Sequence, residues 1–141
     1  MESVSFLPSW IRFFQSCLIK TKVLRHDQDI EINELFTYYQ TNTLLVCKGC
    51  TARNIGDVLL YIDNDHLGDA EVWFQKAIEE DTRNGFRWVL AQDHASYANW
   101  FKKKDDRTGV KEQLTKAIDI FRECGADGWV EKYEKELALI S

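Results

Sequence analysis

Residues 68–77 read GDAEVWFQKA, and residues 108–117, 40 positions further on, read TGVKEQLTKA. Each segment carries one stripe at i, i+4 and i+7: Ala70, Phe74 and Ala77 in the first, Val110, Leu114 and Ala117 in the second. That spacing puts the three side chains on one face of an α-helix. Slim residues on the stripe let a neighbouring helix approach, and a larger one fills the remaining space. A weaker copy lies 38 positions upstream at Ile32, Phe36 and Tyr39. A unit repeated at a period of about forty residues predicts stacked helix pairs, because each pair needs its neighbours to bury its apolar face.

The rest of the chain agrees with a helical reading. One proline and seven glycines in 141 residues leave few helix breakers. A 45% hydrophobic and 13% aromatic content is that of a folded chain and argues against disorder. Pro8 and Ser9 open a first helix with Leu7, Trp10, Ile11, Phe14 and Leu18 on one face. Ile32, Leu35, Phe36 and Tyr39 give the second, and Ile55, Gly56, Leu59 and Ile62 point a third inward. The fourth runs from 67 to about 80, and Asn84-Gly85 is a turn signal. Val89, Leu90, Tyr97, Ala98 and Phe101 mark a fifth helix, and Val110, Leu114, Ala117, Ile118 and Phe121 a sixth that stops at Gly125. Trp129, Tyr133, Leu137 and Ile140 line a last one. No segment alternates at period two, so the fold class is all-α, with residues 1–141 as a single domain. The pairs span about 8–43, 44–81 and 85–125, and the terminal helix 127–140.

These residues resemble the tetratricopeptide repeat in its longer variety. Ala70-Phe74-Ala77 and Val110-Leu114-Ala117 match the family's second-helix pattern, while Ile55-Gly56 with Leu59 and Tyr97-Ala98 with Phe101 match its first-helix pattern. The family's tryptophan is missing before both, and its closing proline is absent. Residues 117–138 (AIDIFRECGADGWVEKYEKELA), 55–60 and 70–79 are further similar to the C-terminal repeat tail of large bacterial signalling proteins. In those, such repeats follow a nucleotide-cyclase, kinase or ATPase region. The resemblance implies a right-handed α-α superhelix of about three helix pairs with a C-terminal capping helix. It also implies a scaffold or regulatory role, with a peptide or partner helix held in a groove lined by the first helix of each pair. In the family register Arg53, Asp57, Tyr61, Gln92, Asn99, Lys102 and Lys103 fall near groove positions; the plain alternative for each is an exposed residue that keeps a helix soluble.

The candidate chemistry is thin. Cys47-Lys48-Gly49-Cys50 is a CxxC pair, but a structural zinc site needs four ligands and no second pair exists. Ordinary buried thiols are expected, with a metal- or redox-active use of Cys47 and Cys50 as the remote alternative. Residues 63–68 (DNDHLG) imitate the start of a calcium loop, yet Phe74 stands where the bidentate glutamate belongs. Lys102, Lys103 and Lys104 read as a helix end whose dipole they offset. Asp93 and His94 adjoin, so they point to different sides of a helix and form no ready dyad. No nucleophile motif is recognisable. The expectation is a non-enzyme with no cofactor and no metal.

A formal charge of −5 gives no nucleic-acid footprint, and no apolar run is long enough to span a bilayer. Arg12, Gln15 and Ser16 interrupt any secretory core at the N-terminus, which predicts a cytoplasmic location. Trp10, Ile11, Phe13 and Phe14 give the first helix a wide apolar girth. A membrane-surface helix would carry more basic residues opposite, so self-association as a homodimer is the second functional expectation.

Overall fold

The computed structural model describes residues 6–26 and 30–140, with side chains from Ile11 onward. Seven α-helices account for every regular element among the described residues: α1 (Phe6–Leu24), α2 (Ile32–Thr41), α3 (Leu45–Ile62), α4 (Leu67–Asn84), α5 (Arg87–Lys103), α6 (Arg107–Glu123) and α7 (Asp127–Ala138). Each of the first six packs on the next, and α3 also packs on α1 and α5. The side-chain pairs Lys20–Asp57 and Asn54–Ser16 tie α1 to α3 in parallel. Arg53–Asp93 and the Lys103 contact with the Leu60 carbonyl do the same for α3 and α5.

The repeated stripes lie in the interior. Ala70, Phe74, Ala77, Leu114 and Ala117 are fully buried, and Val110 is nearly so. Two glycines show why the helices close so tightly. At Gly56 of α3, an added β-carbon would lie 2.8 Å from the Phe74 ring of α4. At Gly109 of α6 it would run into the Phe101 ring of α5. A large ring is thus seated on bare backbone twice, and full burial of such a ring contributes about 2–3 kcal/mol. Around them Leu35, Ile55, Val58, Leu59 and Leu60 fill the centre of α2–α4. Leu90, Ala91, Ala95, Ile120 and Phe121 fill that of α5–α6.

The helix ends follow local chemistry. Gly85 and Gly125 take the left-handed conformation (φ 73° and 69°) and close α4 and α6. Phe86 N–H then reaches the Asp81 carbonyl at 3.0 Å, and Ala126 N–H the Phe121 carbonyl at 2.9 Å. Asp106 caps α6 by accepting from the Gly109 N–H at 3.0 Å. The fourth helix runs one turn beyond the expected end near residue 80, to Asn84. Its last turn looks like a polar loop in sequence, but Glu80 and Asp81 are buried and belong to the packed face.

Candidate functional site

Among the described residues, the face shared by α1, α3 and α5 gathers several buried charged and polar side chains. Asn54, on α3, donates to Ser16 Oγ at 3.0 Å and to Cys17 Sγ at 3.3 Å. One turn later Asp57 meets Lys20 Nζ at 2.6 Å. Arg53 reaches across to α5, donating to Asp93 Oδ1 at 2.9 Å and to the Val89 carbonyl at 3.4 Å. Behind Asp93 lies Asp81 of α4, whose carboxyl is within hydrogen-bonding reach of it. Asp81 and Asp93 are both fully buried.

Burial dominates the electrostatics. It raises the Asp57 pKa, against the opposing pull of Lys20 and Arg53. It raises Asp81 and Asp93 too, and Arg53 opposes this at both; the contact between the two carboxyls adds to the rise at Asp93 and works against it at Asp81. For Arg53, burial acts downward, but Asp93, Cys50 and Asp57 outweigh it and the net shift is upward. Arg53 is therefore a fixed cation inside a ring of acids.

The groove candidates divide by role. Arg53 and Asp57 are committed to the internal pairs just described. Lys102 pairs with Glu136 of α7 and donates to Asn99 at 3.3 Å. Lys103 donates to the carbonyls of Leu60 and Asp63. Lys104 sits 5.4 Å from the centre of the Trp100 ring. Each lysine of the run thus has a partner within the chain. Tyr61 is exposed, and Gln92 and Asn99 are half-buried, on the same helices α3 and α5. Tyr133 of α7 stacks on Phe121 of α6, and burial, more than the charges of Arg53 and Asp57, raises its pKa.

Sequence reasoning passed over Asp81 and Lys20 as site members, and saw Asp93 only beside His94. A signal existed for two of them. Asp81 follows Ala77 by four positions, and Asp93 stands three after Leu90 and four before Tyr97, so both continue buried stripes. Tyr133 reads as packing in sequence, and it does pack, against the α5–α6 core.

Elsewhere, Cys47 is buried, Cys50 half-buried, and both are free thiols. Burial pushes the Cys50 thiol up to about 11 and raises Cys47 as well. Among the described residues no group of three or more His, Cys, Asp or Glu side chains is placed to hold a metal ion. In the calcium-like loop, Asp63 Oδ1 instead accepts from the N–H groups of Asp65 at 2.9 Å and His66 at 3.1 Å, and from His66 Nδ1 at 2.7 Å. His94 contacts Gln113 Oε1 at 2.8 Å on α6, away from Asp93.

On the far side of α1, Ile11 (52%), Phe14 (58%), Leu18 (62%) and Leu24 (51%) are exposed, and Phe13 is half-buried. The Trp10 side chain lies outside the described residues. A groove of about 410 Å³ runs beside this row, lined by Leu18, Ile19, Lys22, Arg25, Glu34 and Tyr38. Among the described residues no helix is long and apolar enough to cross a membrane. Comparison with family models, curated proteins and solved structures finds no match for the chain.

Proposed function

We propose that the chain is a non-catalytic protein-interaction module, a right-handed superhelix of tetratricopeptide-like helix pairs. It binds a peptide or partner helix on the α1–α3–α5 face, as a scaffold or regulatory tail in bacterial signal transduction. The observation that carries this reading is the parallel stacking of α1, α3 and α5, with α4 and α6 behind, their small residues buried at a spacing of about forty. Such a layer offers side chains from several helices to one extended ligand. Arg53, Asp57, Lys102 and Lys103 set the shape of the face, and Tyr61, Gln92 and Asn99 supply its contacts.

The test uses the intact chain as bait, followed by calorimetric titration of the recovered partner. Alanine at Tyr61, Gln92 and Asn99 together should weaken binding at least tenfold while leaving the melting temperature within a few degrees. Unchanged affinity would remove this face from the proposal. Reversing Arg53 is a poor probe, because it also breaks a buried ion pair.

A second reading rests on the apolar row of α1. Ile11, Phe14 and Leu18 would be covered by a second copy of the chain, giving a homodimer. Sedimentation of the wild type and of Leu18→Lys decides it: a dimer that dissociates in the variant supports this reading, and a wild-type monomer at high concentration rejects it.

A further inference from the structure

Two acids meet inside this protein with one cation between them and α3. Asp81 Oδ1 and Oδ2 and Asp93 Oδ2 are buried and find no hydrogen-bond donor, although the two carboxyl groups are within reach of each other. Two carboxylates repel and have no hydrogen to share; a carboxylic acid and a carboxylate make a strong, short hydrogen bond. Orphaned buried oxygens are rare because each costs roughly 1–3 kcal/mol. A single proton on this pair removes the difficulty. The protonated carboxyl donates, the other accepts, and the remaining negative charge is matched by Arg53, so the buried cluster is neutral.

We propose that Asp81 and Asp93 form a buried proton-binding site, holding one proton between them at neutral pH and fastening α4 to α5. The proton lies between the Asp81 carboxyl and Asp93 Oδ2, while Asp93 Oδ1 stays with Arg53. Gly49 on α3 makes the site possible, since any β-carbon there would occupy the space of the Asp81 carboxyl. The surrounding charges are few. From α3 come Arg53 and Cys50, and from α4 Glu80. Glu80 is engaged elsewhere, accepting from Tyr39 Oη at 3.1 Å and pairing with Arg83 at 2.9 Å. The α6 charges Glu112 and Lys116 act on His94 instead. Among the described residues Arg53 is the cation that acts on both carboxyls, and no second one takes the place of the proton. At alkaline pH the proton leaves to solvent, two carboxylates face one guanidinium, and the joint between α4 and α5 loosens. This site is independent of the interaction reading above and stands whether or not the chain binds a partner.

Infrared spectroscopy of the intact chain tests it. The wild type at pH 7 should show a carboxylic-acid C=O band that vanishes on alkaline titration and is missing in Asp81→Asn. That variant keeps a donor in the same place without needing a proton. Unfolding the wild type at pH 7 should release one proton more than unfolding Asp81→Asn. Absence of the acid band in the wild type overturns the proposal on its own, whatever the variant does. A band that persists undiminished in a folded Asp81→Asn or equal proton release from the two proteins would do the same.

Discussion

The carboxyl group of Asp81 rests directly against the α-carbon of Gly49, one turn of α4 on one turn of α3. Alanine at 49 would gain up to about 1 kcal/mol of helix propensity and still lose overall. Its methyl group has nowhere to go except into a buried carboxyl, an overpacking cost of about 1–3 kcal/mol. Gly49→Ala is therefore expected to be destabilising in urea unfolding. The loss should shrink in the Gly49→Ala/Asp81→Ala double variant, and additive losses would mean the contact is not the cause.

Arg53 neutralises a cluster that excludes water. Arg53→Met strands Asp93 beside Asp81 with no cation, and breaking a buried pair in this way costs about 3–5 kcal/mol. Both carboxyls can escape the penalty only by taking protons. The loss should accordingly be larger at pH 8 than at pH 5, read from denaturant midpoints at the two pH values. A loss independent of pH would show that Arg53 acts by packing alone.

Wild-type stability should itself fall with rising pH. Asp93 is raised to about 9 and Asp81 in the same direction, chiefly by burial, whereas an unfolded aspartate titrates near about 4. The native state therefore holds a proton that the unfolded chain has lost. The stability this confers is fully present below the unfolded value and disappears as pH rises through the folded one. For one proton the slope is about 1.4 kcal/mol per pH unit within that window. Asp57 is shifted the same way, so Asp81→Asn should reduce the slope without abolishing it. Equal slopes in the two proteins would contradict the shared proton.

The described histidines near carboxylates and amides should titrate apart. Hydrogen bonding to Asp63 raises His66 above its usual 6.5, while burial lowers His94. Proton NMR of the imidazole resonances reads both directly. Coincident titration curves would reject the geometry around at least one of them.

Thiol reactivity follows exposure and burial. Cys124 is exposed, whereas Cys47 is buried and the Cys50 thiol is pushed up to about 11. A disulfide reagent at pH 7.5 should modify Cys124 fast in the native state and reach Cys47 and Cys50 only on unfolding. Rapid reaction at either of those two would instead revive a reactive CxxC pair.

The helical plan was legible because it rests on periodicity. The stripes of Ala70, Phe74 and Ala77 and of Val110, Leu114 and Ala117 survive any error at helix ends, and all six lie inside. The polar centre was not legible for the same reason. A period-based reading sorts residues into apolar-in and charged-out, and Asp81, Asp93 and Asp57 break that sorting. Their burial depends on partners from other helices, Lys20 and Arg53, that sequence does not bring together. Lys102 and Lys103 were misleading in the opposite sense. They read as free charges and are spent on Glu136 and on the carbonyls that end α3.

One more feature bears on how the molecule comes apart. No residue of α7 is fully buried, and much of its grip is a ladder of rings in which Phe121 stacks on Trp129 at 5.6 Å and on Tyr133 at 5.8 Å, beside the aliphatic contacts of Val130, Leu137 and Ile140. Flat rings slide over one another more readily than interlocked aliphatic side chains separate. The carboxyl-terminal segment is thus expected to separate before α3–α6 are breached, and its leaving would bare Phe121 and Leu114. Loss of α7 would thus convert a covered seam of α6 into an open apolar strip.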